Sequence, residues 1–126
     1  MFIQIEPNTD VPIYTQLTQQ IIEGIANGDI KSGESLPSVR SLAADLGVNM
    51  HTVNKSYHEL EKKGLISILP KSGASVNAFN EKGKVSPQQL DYMEKLLRPA
   101  VAEGIVYGLE MNDFEEIIQR IIKKLQ

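Results

Sequence analysis

Cysteine is absent from this chain of 126 residues. Its absence excludes disulfides, a thiol nucleophile and any thiolate metal site, and it fits a cytoplasmic protein. Long apolar runs are missing too. The longest stretch without a charged residue, Val11 to Ile22, has 12 residues and includes Thr and Gln, whereas a membrane-spanning helix needs ~20 apolar residues. No membrane segment is predicted. Met1 to Glu6 has neither the basic flank nor the apolar run of a signal peptide. An excess of positive charge is also lacking: 13 Lys and Arg stand against 16 Asp and Glu, a net charge of −3. Residues 1–80 sum to −2 and residues 81–126 to −1. A nucleic-acid partner must therefore be argued from where the charges sit, because the total provides no cationic footprint. There is no phosphate-binding glycine loop, no nucleophile beside a base and no recognisable carboxylate pair, so no enzyme is expected. His51 and His58 have no metal-ligand partners at suitable spacing, so neither a metal nor a cofactor is expected.

The chain does have enough material for a core. Leu, Ile, Val and Phe make up 29% of it, above the ~20% below which charged chains stay disordered. Phe2 or Ile3, with Ile5, permits a short edge strand before Pro7. Pro12 suits the first turn of a helix, and Ile13, Leu17, Ile21 and Ile25, with Ile22 beside them, form one apolar stripe ending at Asn27-Gly28. Ile30 to Pro37 reads as a connector. Ser38 is placed to cap a second helix with Val39, Leu42, Ala43 and Leu46 inward, which Gly47 stops. Asn49 can cap a third, with Val53, Tyr57 and Leu60 inward, closed by Gly64. Two short helices joined through a glycine turn read as a helix-turn-helix. Ile66 and Ile68, then Pro70 to Gly73, then Val76 and Ala78 read as a hairpin. The expected fold is mainly α with a small β-hairpin (α+β): a winged helix-turn-helix followed by a short two-helix segment.

A helix-turn-helix reads DNA by laying its second helix in the major groove, so that side chains of the first turns reach base edges. Those positions here are Asn49, Met50, His51, Thr52, Asn54, Lys55 and Ser56. Asn can bond adenine twice, and Thr and His can bond bases or phosphate; Lys55, a turn further on, suits phosphate. Arg40 can clamp the backbone, and Ser38 sits beside free helix N–H groups that attract anions. Lys71, Ser72 and Gly73 at the hairpin tip can meet adjacent phosphates. Between Leu46 and Gly73 four lysines face two glutamates, so this segment is weakly basic inside an acidic chain. Plainer roles compete: Asn49 and Thr52 suit a helix start with or without DNA, His58 reads as surface, Tyr57 as core, and Lys62 and Lys63 as a solvated helix end.

The ordered runs Pro12-Ile13-Tyr14, Ile25-Ala26-Asn27-Gly28, Gly33-Glu34-Ser35-Leu36-Pro37-Ser38-Val39-Arg40, Leu42-Ala43-Ala44-Asp45-Leu46-Gly47-Val48-Asn49, Thr52-Val53-Asn54-Lys55 and Gly64-Leu65-Ile66 resemble the DNA-binding domain of the GntR family of bacterial transcription regulators. The short tail resembles the YtrA-like subfamily. The resemblance implies a winged-helix homodimer on a palindromic operator, with contacts falling on Ser38, Arg40, Asn49, His51, Thr52, Asn54 and the tip from Lys71 to Gly73. It also implies a cytoplasmic repressor, and in similar short regulators control of a transport operon. The chain departs from the family pattern where arginine is common at the places of Met50 and Asn54, and in keeping only Gly73 of the two wing glycines.

Ser86-Pro87-Gln88-Gln89 signals a helix start, and Pro99 should kink the helix that follows. Asn112 to Glu115 reads as the start of a last helix with Phe114, Ile117, Ile118, Ile121, Ile122 and Leu125 on one face. Two helices make too thin a layer to shelter both stripes, so a second copy is expected to cover Leu97, Val101, Gly104, Ile105, Gly108, Phe114, Ile118, Ile121 and Ile122. Gly104 and Gly108 read as a small-residue pair inside the helix. The expected organisation is a DNA-binding domain over residues 1–79, a linker over 80–85 and a dimerisation segment over 86–126. The competing reading is a winged-helix protein-interaction module that does not bind DNA.

Overall fold

The apolar recurrence that begins at Ile13 forms α1 (Ile13–Ala26), with Leu17 and Ile21 fully buried. Pro12 stands one place earlier than expected, as the N-cap residue, and its carbonyl accepts the Gln16 N–H at 3.1 Å to begin the helical ladder. The computed structural model describes residues 3–70 and 73–126 and divides into two compact units, Met1–Phe79 and Asn80–Gln126.

In the first unit, α2 (Val39–Leu46) and α3 (Met50–Lys62) are separated by Gly47, Val48 and Asn49. The turn needs a residue that tolerates positive φ, and Gly47 takes it at φ 69°. Val48 N–H then bonds Ala43 O at 3.0 Å and Gly47 N–H bonds Ala44 O at 3.3 Å, which satisfies the last carbonyls of α2. Leu42 and Ala43 from α2, and Val53, Tyr57 and Leu60 from α3, meet Leu17 and Ile21 in one core. Ile30, Leu36, Ile66, Ala74 and Val76 complete it.

The hairpin pairs β2 (Ile66–Leu69) with β3 (Gly73–Val76) in antiparallel register, Ile66 opposite Val76 and Leu69 opposite Gly73. A further strand forms where a connector was expected. Ser35 and Leu36 constitute β1, which pairs antiparallel with β3, so the strand order is β1-β3-β2. Two residues are too few to show alternation, and the free edge of β3 recruits them. Ala78 lies beyond β3 and is exposed, so the inward pair on that strand is Ala74 and Val76.

The edge strand expected near the N-terminus does not form over residues 3–6; Phe2 lies outside the described residues. Instead two glutamines of α1 serve as the neighbouring strand. Gln4 N–H donates to Gln20 Oε1 at 2.9 Å, and Gln20 Nε2 donates back to Gln4 O. Glu6 N–H donates to Gln16 Oε1 at 2.8 Å, and Gln16 Nε2 donates to Glu6 O at 3.0 Å. A primary amide presents an N–H donor beside a carbonyl acceptor, as a peptide edge does. The spacing matches because four residues of helix rise ~6 Å and two of extended chain span ~7 Å.

In the second unit, α4 (Pro87–Tyr107) starts on a capping box: Gln89 N–H donates to Ser86 Oγ at 3.1 Å and Ser86 N–H donates to Gln89 Oε1 at 3.0 Å. The helix continues through Pro99. Gly108 is not inside it. It sits past the last turn at φ 96°, where Leu109 N–H bonds Gly104 O at 2.9 Å, so its role is to end the helix. That sharp stop brings α5 (Met111–Lys124) on immediately, with Glu110 as N-cap residue, two places before Asn112; Glu110 N–H donates to Asp113 at 2.8 Å. Gly104 is buried because its own chain covers it. A Cβ there would lie 2.6 Å from Phe114 Cε1. Gly104 and Phe114, both expected on a surface for a second copy, thus face each other across the α4–α5 corner. No residue of α5 is buried.

Candidate nucleic-acid interface

The site is built from two helix starts in the first unit. Ser38 Oγ accepts Ser41 N–H at 3.1 Å at the head of α2, and Asn49 Oδ1 accepts His51 N–H at 2.8 Å at the head of α3. Each cap uses an acceptor and leaves donors free, the Ser38 hydroxyl proton and the Asn49 amide N–H groups. Tyr57 ties the body of α3 to the start of α2. It is buried in α3, and its hydroxyl donates to Pro37 O at 2.6 Å, one residue before the α2 cap. Burial pushes its phenol up to about 12, so it remains a neutral donor at physiological pH.

The outward face of α3 follows from its buried one. Val53, Ser56, Tyr57 and Leu60 point inward, and at 100° per residue the opposite line carries His51, Lys55, His58 and Lys62, all exposed. Asn54 is exposed on one flank, and Thr52 is half-buried on the other. Of the positions expected to reach bases, Ser56 is excluded. It is fully buried and its hydroxyl lies 2.7 Å from that of Thr18, which bonds Tyr14 O at 2.7 Å. His58, read from sequence as ordinary surface, belongs to the same line as His51. Counting forward from the buried Val53 would have found it, since five residues on at 100° each reach the opposite side of the helix.

Charge is distributed unevenly over this surface. Arg40, on the first turn of α2, is exposed, and its guanidinium has no ion-pair or hydrogen-bond partner among the described residues. Lys55 Nζ lies 3.9 Å from the centroid of the Tyr14 ring. Glu61, on the same flank of α3 as Asn54, is turned to the hairpin, where it accepts the Ile68 N–H at 2.8 Å. Gly73 is exposed at the start of β3. Lys71 and Ser72, the other two hairpin-tip candidates, lie outside the described residues. Among the described residues no three His, Asp or Glu side chains converge to hold a metal ion, and no helix is long and apolar enough to cross a membrane. The arrangement can donate hydrogen bonds and positive charge to an anionic, grooved surface, and it presents no group aligned for bond-breaking chemistry.

Known proteins resemble this chain in sequence and fold. The family described as bacterial regulatory proteins, gntR family, matches residues 13–76. The HTH-type transcriptional repressor YtrA of Bacillus subtilis is 34% identical over 94% of this chain and 91% of its own length. A transcriptional antiterminator from Listeria monocytogenes superposes with a TM-score of 0.85 at 26% identity, covering 99% of this chain and 92% of that one. The DNA-binding domain of AraR, solved in complex with operator ORX1, superposes with a TM-score of 0.53 at 25% identity, covering 60% of this chain and 98% of that domain.

Proposed function

The chain belongs to the gntR family of bacterial regulatory proteins and is a DNA-binding transcription regulator, not an enzyme, and from that premise we propose that it acts as a homodimeric repressor on a palindromic operator. Residues 1–79 bind the duplex, residues 86–126 pair with a second copy, and residues 80–85 join the two. The protein works where the chromosome is, in the cytoplasm.

The observation that carries the DNA-binding assignment is the exposed, capped start of α3 together with an exposed Arg40 that has no partner among the described residues. In this reading α3 enters the major groove. Asn49, His51 and Asn54 meet base edges, with Thr52 at their side. Ser38, Arg40 and Lys55 hold phosphates, and the hairpin tip from Lys71 to Gly73 meets the adjoining backbone. The pairing of two copies is supported by the apolar line along α4, where Leu90, Met93, Leu97, Val101 and Ile105 are between 39% and 61% exposed. On α5, Ile118, Ile121 and Ile122 are similarly open. A contiguous apolar face of this kind marks an interaction surface, and a self-complementary two-fold pairing is the simplest way to cover it. Two reading helices then face half-sites ~34 Å apart, one turn of the duplex. A bound dimer at a promoter excludes polymerase, and repression follows.

Selection of bound duplexes from a random-sequence pool, followed by salt titration on the winners, tests the reading. The expected result is an inverted repeat with half-site centres one helical turn apart, and affinity that falls steeply with salt as counterions are released. Enrichment of no sequence, with binding indifferent to salt, contradicts it.

A further inference from the structure

Among the described residues, the ring of Tyr14 is the one aromatic surface in contact with a cation on the outward line of α3, and its placement is specific. Tyr14 lies in the first turn of α1 and Lys55 in the middle of α3, with Nζ 3.9 Å from the ring centroid. One helical turn along α1 and one residue along α3, the Thr18 and Ser56 hydroxyls bond each other at 2.7 Å in the buried seam between the same two helices. Thr18 Oγ1 also bonds Tyr14 O at 2.7 Å. Because Thr18 commits its proton to that carbonyl, Ser56 donates to Thr18. The chain of bonds fixes the backbone of Tyr14 against α3, so the ring is held in register with Lys55.

A lysine side chain ordinarily samples many rotamers and must be immobilised when it grips a phosphate. A ring face attracts an ammonium through the side turned to it and leaves the N–H donors on the far side unused. Lys55 is exposed and lies between His51 and His58 on the outward line, so those donors stay open to a duplex. We propose that Tyr14 is a positioning residue for DNA binding: its ring holds the Lys55 ammonium at the flank of α3, where a backbone phosphate meets a cation already in place. The proposal rests on the reading of α3 as the groove-entering helix.

A double-mutant cycle on the full chain, with a random-sequence duplex pool as probe, tests it. Lys55→Ala should lower the slope of log affinity against log salt by about one. Tyr14→Leu keeps an apolar side chain and removes the ring, and should weaken binding by about two- to five-fold, the scale of an exposed ring–ammonium contact. Tyr14→Phe should bind as the unaltered chain does. In the Lys55→Ala background Tyr14→Leu should add nothing. In the free protein, NMR should find the Lys55 ε-methylene shifted upfield by the ring, and Tyr14→Leu should abolish that shift. Equal loss from Tyr14→Leu in both backgrounds overturns the proposal, since the ring would then act through the fold. Tighter binding by Tyr14→Leu overturns it too, because the ring would then be withholding Lys55. An unaltered salt slope in Lys55→Ala, while Arg40→Ala still weakens binding, removes this proposal and leaves the assignment of α3 standing. Absence of binding by the unaltered chain removes both.

Discussion

The two units of the chain solve the problem of burying apolar surface in opposite ways. Among the described residues of Met1–Phe79, three helices and a three-stranded sheet enclose twelve buried apolar residues, and no buried side-chain polar atom lacks a partner. In Asn80–Gln126 one residue of α4 is buried, a glycine, and none of α5. The apolar content of the second unit is nonetheless high, and most of it faces outward. The first unit is therefore complete within one chain. The second has the pattern of a core cut in half, which is what an obligate interface between identical chains looks like. In the proposed reading, recognition and assembly fall to different physical solutions: a closed core that holds capped helix ends, and an open face left for a second copy to cover.

The contrast is broken most forcefully by truncating equivalent apolar residues in the two units. Leu60→Ala in the closed core should cost about 2–5 kcal/mol at any protein concentration, read by denaturant unfolding. Ile121→Ala on the open face should leave unfolding of the first unit unchanged and make unfolding of the second more sensitive to protein concentration. Alkaline titration sharpens the same difference. The folded pKa of Tyr57 is raised above its ordinary 10.0, so the stability it confers is full below pH 10 and is lost as pH rises toward about 12. Ionising the phenol inside the core costs more than ionising it in the unfolded chain, by on the order of 2 kcal/mol, and that difference is the stability lost. Tyr57→Phe should flatten that pH dependence while costing ~1 kcal/mol at neutral pH through the lost bond to Pro37 O. On the reading face, Arg40→Ala should weaken duplex binding by ~1–3 kcal/mol with circular dichroism unchanged. The smallest effect is expected at the corner of the second unit. Gly104→Ala gains up to ~1 kcal/mol of helix propensity but sets a Cβ 2.6 Å from the Phe114 ring. A net loss of ~1 kcal/mol is expected, relieved by Phe114→Leu and visible in thermal unfolding of the α-helical signal.

Much of the first unit could be read from local chemistry alone. Ser38, Gly47, Asn49 and Gly64 punctuate the chain with residue types that have one structural use each, and the inward lines of α1 to α3 follow from spacing. What escaped depends on partners distant in sequence. The strand β1 exists because β3 offers it an edge, and nothing in Ser35-Leu36 announces that. The N-terminal arm is held by Gln16 and Gln20, whose match to residues 4 and 6 is a coincidence of two repeat lengths. Ser56 looks available for DNA because its position on α3 is only one residue from Lys55, yet the seam with Thr18 claims it. Gly104 and Gly108 look alike on a helical stripe. The left-handed turn at Gly108 separates them, making one a stop signal and the other a notch for Phe114. Of the candidate contacts, Ser38, Arg40, Asn49, His51, Asn54 and Lys55 all reach the surface of the first unit, whereas the attachment of Lys55 to Tyr14 required three dimensions.

The pairing of two chains through α4 and α5 is the claim on which the operator symmetry, the half-site distance and the repression mechanism all depend. Sedimentation equilibrium of the full chain, free of DNA and at micromolar concentration, measures it directly. A mass of twice 14.0 kDa, falling toward the single-chain value on Ile121→Asp, is the predicted result. A single-chain mass of 14.0 kDa that persists as concentration is raised contradicts the account.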